Sequence, residues 1–152
     1  MGDIAATGTR TIRQGFHRAH IEQSRGKYNF ESYDHLVASL ARRGLGVQPM
    51  LYDPPPFWSS APAGTPLNVV YPPTSNAAFA SFAQAIAARY GTSGSFWRER
   101  PGLPRHPIRT WQVWNEANTP AFWASGPDPV AYGRMLRDVS LGLKRGDPNA
   151  ES

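Results

Sequence analysis

The chain has 152 residues, no cysteine and a formal charge of +5. That length fits one domain, and the missing cysteines exclude a disulfide framework and thiolate metal sites while leaving the redox compartment open. Leu, Ile, Val and Phe together make 28 of the 152 residues, a thin aliphatic supply, but 5 Trp, 6 Tyr and 7 Phe restore apolar bulk and argue against disorder. No apolar run approaches the roughly 18 residues of a membrane span, and residues 1–10 lack the basic-then-apolar layout of a secretory signal. Of the 16 cations 14 are Arg, scattered and not massed in a stripe, which points away from nucleic acid.

In chain order, residues 11–17 read as a strand. A helix follows over 31–43, where Phe30, Tyr33, Leu36, Val37 and Leu40 recur on one face and Gly44 stops it. Residues 45–52 form the second strand. The second helix, 76–90, carries Phe79, Phe82, Ala83, Ile86 and Tyr90 on its buried face, with Thr74 and Ser75 as caps upstream. The third strand spans 108–115. The third helix, 129–145, has Asp128 at the N-cap, Pro129 in its first turn and Gly146-Asp147-Pro148 at its end. Strands separated by helices must run parallel, so the class is α/β.

Two loops exceed what a minimal unit needs. Residues 53–76 hold seven Pro and follow the carboxyl end of a strand, where α/β sheets bind ligands. Residues 91–107 enter a strand from the opposite end and serve packing.

The chemistry concentrates in Trp111-Gln112-Val113-Trp114-Asn115-Glu116-Ala117-Asn118, followed by Phe122-Trp123. A glutamic acid at a strand's carboxyl end can face a cleft. Indoles beside it would desolvate it and favour its protonated form, which can donate a proton to a leaving oxygen. Asn115 offers amide donors and acceptors to a hydroxylated ligand. Tyr52, Trp58 and Trp123 can serve as flat faces for sugar rings or as packing aromatics. Asp53 before Pro54 reads as a turn. The four His lack the H-E-x-x-H spacing of a metal site, although His17 could line the cleft, and no phosphate-binding glycine motif occurs; neither metal nor cofactor is expected.

This segment resembles the acid/base strand of the clan A retaining glycoside hydrolases, (β/α)8 barrels that include families 5 and 39, whose signature W-x-x-W-N-E-P-N ends the fourth strand. Ile12-Arg13, Ile21-Glu22, Gly26-Lys27-Tyr28 and Tyr33-Asp34 resemble the second strand and helix of such barrels. Residues 45–52 with Asp53-Pro54 and Trp58 resemble the third, and Arg89-Tyr90-Gly91, Phe96-Trp97 and Pro107-Ile108 lead into the fourth. The resemblance implies that Glu116 is the general acid/base, that Asn115 contacts the hydroxyl beside the reacting carbon, and that Arg13 lies near the nucleophile. Ala117 replaces the usual Pro. Arg18 stands where many relatives carry an aromatic, which implies a different lining for that part of the cleft.

The nucleophile of the clan comes from the seventh strand, and three strands are visible here where a barrel has eight. The expectation is therefore a partial TIM barrel over 1–152, about three βα units, lacking the first strand and strands five to eight. It would carry the acid/base but not the nucleophile of a hydrolase acting on a poly- or oligosaccharide or glycoside, with a carbohydrate as its partner and neither nucleic acid nor membrane. The alternative is a non-catalytic carbohydrate-binding or interaction domain. Sugar, linkage, compartment (secreted or cytoplasmic) and oligomeric state stay open.

Overall fold

The computed structural model describes residues 7–66 and 70–152. Residues 1–6, within the stretch read for a signal layout, and 67–69, within the Pro-rich loop, lie outside the described residues. Three parallel strands form one sheet in chain order: β1 (Thr11–His17), β4 (Gly46–Tyr52) and β5 (Gln112–Val113). Between β1 and β4 come a single helical turn, α1 (Arg18–Ile21), a small hairpin of β2 (Glu22–Ser24) and β3 (Lys27–Tyr28), and α2 (Glu31–Ala41). Helix α3 (Asn76–Tyr90) and the short α4 (Ser95–Arg98) precede β5, and α5 (Pro129–Gly146) follows it. No described helix is long and apolar enough to cross a membrane.

The parallel register pairs Arg13 with Gln48, Gly15 with Met50 and His17 with Tyr52, and Met50 in turn with Gln112. Side chains alternate across a strand, so one face carries Phe16, Val47, Leu51 and Val113, all buried. The opposite face presents Arg13, Gln48, His17, Tyr52 and Gln112, none of them buried. The core therefore lies between one face of the sheet and the helices. Phe16 meets Tyr33 of α2 at 4.3 Å and Tyr90 of α3 at 6.1 Å between ring centroids.

The helices begin where the caps predict. Ser75 Oγ accepts from the Ala78 N–H at 3.1 Å, and one Asp128 oxygen accepts from the Val130 and Ala131 N–H groups, filling donors that no helical carbonyl reaches. The third strand is shorter than expected. Its ladder with β4 is only Gln112–Val113, while on its other side the Trp111 N–H donates to the carbonyl of Glu151 and the Glu151 N–H to that of Arg109. Trp114, at φ 69°, then leaves extended geometry altogether. The hairpin and α4 went unforeseen, since segments of two to four residues carry almost no periodicity.

Helices α3 and α5 pack backbone to backbone. A Cβ on Gly142 would overlap the Ala80 carbonyl, whereas one on Gly133, exposed on the same helix, would meet nothing within 4 Å. Glycine inside a helix costs roughly 0.5–1 kcal/mol relative to Ala, and at Gly142 the close approach requires it. Gly142→Ala should destabilise the chain by about 1–3 kcal/mol through overpacking. Gly133→Ala should stabilise it by up to ~1 kcal/mol; urea titrations of the two variants give opposite midpoint shifts.

Asp147, buried after α5, fixes this corner. Its carboxylate accepts from the N–H and hydroxyl of Thr92 at 2.6 and 2.7 Å. Burial opposes its charge, but these bonds and those from Asn149 hold its carboxyl below the usual range. A depressed folded pKa means stability that is present above the unfolded value near ~3.9 and lost as pH falls through the folded one. Asp147→Asn should thus destabilise at neutral pH, with a penalty that shrinks steadily below about pH 4, as read from urea midpoints across pH.

Candidate active site

The carboxyl ends of β1, β4 and β5 lie side by side, and polar side chains stand at or just beyond each of them. From within β1, Arg13 reaches across β4: its Nη2 donates to Asn115 Oδ1 at 2.7 Å and to Met50 Sδ at 2.9 Å, while its Nε donates to Gln112 Oε1 at 2.8 Å. Gln112 donates onward to the Trp114 carbonyl at 2.8 Å. The Asn115 amide is thereby oriented. Its oxygen faces the guanidinium and its NH2 group remains as donor. Arg13 forms no ion pair among the described residues, so its charge is matched only by neutral acceptors.

Asn115 sits between two residues of left-handed backbone, Trp114 at φ 69° and Glu116 at φ 41°. For bulky side chains this conformation is rare and costs energy. What holds it is burial. The Trp114 indole is 1% exposed, donates to the Phe122 carbonyl at 2.8 Å and packs edge-on against Trp123 at 5.5 Å. The Glu116 carbonyl accepts from the Thr119 N–H, closing the following turn. Beside it a groove of about 540 Å³ is lined by Gln112, Trp114, Glu116, Asn118 and Tyr132, among others.

On the same rim, His17 pairs in register with Tyr52. The Asp53 carboxylate meets His17 Nδ1 at 2.8 Å, and the Tyr52 hydroxyl lies 3.0 Å from Nε2. Asp53 is thus both turn and rim residue: at φ 59° its backbone makes the turn and its side chain folds back over the strand end.

The structure gathers Arg13, Asn115 and Tyr52 and places Glu116 next to Asn115, but it separates the other expected residues from them. Trp123 is 2% exposed and enclosed by Trp114 and Tyr132, with no face open to a sugar. Trp58 donates to Glu22 Oε1 at 3.0 Å, and the Arg25 guanidinium covers its ring at 4.3 Å. The indoles do not desolvate Glu116, whose side chain is exposed while Trp111, Trp114 and Trp123 are buried. Sequence reasoning gave Asp53 only a turn and left its bond to His17 unseen.

Arg18 does not line the cleft either. It is 1% exposed, joined to Glu22 at 2.6 Å, and surrounded by the rings of Trp58, Phe79 and Phe82 at 5.5–5.7 Å. Burial pulls this guanidinium below its ordinary range, against the pull of Glu22, and its two terminal nitrogens have no hydrogen-bond partner. The pair is an i,i+4 contact made inside the protein. Arg18→Met should cost about 3–5 kcal/mol by leaving Glu22 buried without its cation, and adding Glu22→Leu should return much of that loss; guanidinium unfolding followed by tryptophan emission measures both.

No protein-family model and no curated protein matches the chain. Among solved structures it is similar to a GH39 β-xylosidase from Caulobacter crescentus, with 19% identity and a TM-score of 0.70 over 97% of this chain and 34% of that one. It is similar to the exo-β-1,4-mannosidase Op5Man5 from Opitutaceae bacterium strain TAV5, with 18% identity and a TM-score of 0.65 over 95% of this chain and 25% of that one. It is also similar to an endoglucanase from Pseudomonas stutzeri, with 15% identity and a TM-score of 0.58 over 98% and 39%. These neighbours are glycoside hydrolases of families 39 and 5, of clan A and the TIM-barrel fold, as the Asn-Glu motif implies. At such identities the likeness establishes a shared fold. The chain spans 25–39% of the length of these neighbours.

Proposed function

We propose that this chain is the portion of a retaining glycoside hydrolase barrel that holds its second to fourth strands, with Glu116 as general acid/base. The observation that carries the reading is the end of β5. Asn115 and Glu116 stand together at the carboxyl end of a parallel strand, and Arg13 orients the Asn115 amide from the first strand of the sheet. Each strand neighbours the next in chain order, as successive strands of a barrel do.

Retaining hydrolysis uses two carboxyl groups about 5–5.5 Å apart, one protonating the leaving oxygen and one attacking the anomeric carbon. Glu116 fills the first role. Arg13 supports a place for the second. Its charge, unmatched by any carboxylate among the described residues, favours an anion brought against the open face of the sheet. The nucleophile then comes from a strand outside residues 1–152, as in the family that the motif resembles. The substrate is a glycoside or an oligo- or polysaccharide, bound through hydroxyl contacts at Asn115.

Acid assistance is worth roughly 10²–10⁴-fold, a fraction of what glycosidases achieve, so the 152-residue chain should not turn over aryl glycosides. Within a protein that completes the barrel, Glu116→Gln should slow hydrolysis by about 10²–10⁴ for poor leaving groups and far less for activated aryl ones, because only the former need the proton. Rates across a leaving-group series decide it. Equal losses along the series would refute the acid role, and turnover by the 152-residue chain would refute the assignment of the nucleophile to another segment.

A further inference from the structure

We infer that Asp53, His17 and Tyr52 form a proton-fixing chain that, while the His17 ring is neutral, makes the Tyr52 hydroxyl a hydrogen-bond acceptor towards the cleft, so that the rim selects a ligand hydroxyl at that point. The inference rests on the carbohydrate reading for its ligand, but not for the chain of protons itself.

The logic follows from the donor inventory. A carboxylate only accepts, so the 2.8 Å contact between Asp53 Oδ2 and His17 Nδ1 places the imidazole proton on Nδ1. In the neutral ring Nε2 is then a lone pair. Tyr52 Oη lies 3.0 Å from that nitrogen, so the phenol must donate its single proton there. The lone pairs of Oη remain, and they can only accept. Burial and the Asp53 charge both push the phenol up, which keeps the proton on oxygen.

The surroundings lock this arrangement. His17 and Tyr52 are register partners on neighbouring strands. Between them Gly15 has no side chain. A Cβ there would stand 3.1 Å from the Tyr52 ring and 3.2 Å from His17 Nε2, so the bare glycine leaves room for the two rings to meet. The left-handed backbone of Asp53 turns its carboxylate onto His17, and His20 stacks on the His17 ring at 4.8 Å and 21°. The His17 backbone N–H donates to the Tyr33 hydroxyl at 2.8 Å, pinning the strand end.

Arg13 acts in the opposite sense on Asn115, occupying its oxygen with one bond and turning its NH2 group outward as a donor. The rim thus presents an amide donor at Asn115 and an acceptor at Tyr52. An O–H group satisfies Tyr52, whereas fluorine, a methyl ether or a carboxylate at the same position cannot donate to it. His17 and Asp53 are positioning residues in this scheme, acting through Tyr52.

Two measurements test the inference: tautomer spectra on the 152-residue chain, and ligand titrations on a protein that completes the barrel. Long-range ¹H–¹⁵N spectra at pH 8, with the His17 signals assigned by loss in His17→Gln, should show the Nδ1–H tautomer, and Asp53→Ala should shift it towards Nε2–H. An Nε2–H tautomer in the unsubstituted chain would overturn the proton chain whatever the ligand. Chemical-shift titrations with methyl β-D-xyloside, glucoside and mannoside come next, followed by the monodeoxy and monofluoro analogues of those that bind. At one hydroxyl, replacement by fluorine should weaken binding roughly 3- to 10-fold, and that penalty should vanish in Tyr52→Phe and fall in Asp53→Ala. The same fluorine penalty in Tyr52→Phe would overturn the acceptor role. Failure of every glycoside to bind, with the Nδ1–H tautomer in place, would overturn the carbohydrate reading of the site and leave the proton chain standing.

Discussion

The guanidinium of Arg13 joins the two outer strands of the sheet across the middle one. Its bonds to Gln112 and Asn115 run from β1 to the end of β5, and the Met50 sulfur of β4 lies on the way. This contact couples the local shape of the Asn-Glu segment to the register of the sheet. A slip of one residue in β1 would move the side chain at position 13 to the helix-covered face, where a charge without a partner costs several kcal/mol. Arg13 stays on the open face, hydrogen-bonded by neutral groups and retaining its full charge. An anion brought to that face would gain from it.

Backbone strain is gathered on the same rim. Asp53, Trp114 and Glu116 are the non-glycine residues with positive φ among the described residues, and all three follow the ends of β4 and β5. Strain of this kind costs of order 1–3 kcal/mol per residue and persists where surrounding contacts over-determine it. At Asp53 those contacts come from His17 and the Ala19 N–H, and at Trp114 from buried aromatic packing. Trp114 is anchored by the Phe122 carbonyl and the Trp123 ring, and Trp123 rests in turn on Tyr132 of α5. The tryptophans around the motif hold the geometry of Asn115 and Glu116 from behind and do not offer faces to a sugar.

That distinction marks what the sequence could disclose. The helices were legible because their apolar positions recur at 3–4 residue spacing and their caps are Ser75 and Asp128, residue types whose side chains fill the free N–H groups of a first turn. Strands β1 and β4 were legible as β-rich stretches between turns, and the motif by its own pattern. The direction in which a tryptophan points is set by tertiary packing, so Trp123 read equally as platform and as core. Arg18 shows the same limit with a missed cue. Its i,i+4 spacing to Glu22 matched an ion pair, but the resemblance drew attention to the cleft. The end of β5 was overestimated because Trp114 breaks the strand where its own composition favours extension.

Asp53 carries the same lesson to the chemistry of the rim. Reading it as a turn residue was sound, since Asp tolerates the left-handed conformation that its φ of 59° records. That very conformation returns its carboxylate to His17, so the turn and the polar contact are one feature. The ends of the strands then divide the work of recognition. Arg13 occupies the Asn115 oxygen and orients its NH2 group, and Asp53, acting through the neutral His17 ring, engages the Tyr52 proton. Hydroxyl groups, which donate and accept at once, can satisfy both remainders, whereas a carboxylate satisfies only the donor and an ammonium only the acceptor. Under the carbohydrate reading, a neutral, polyhydroxylated ligand can meet both the Asn115 donor and the Tyr52 acceptor on this rim.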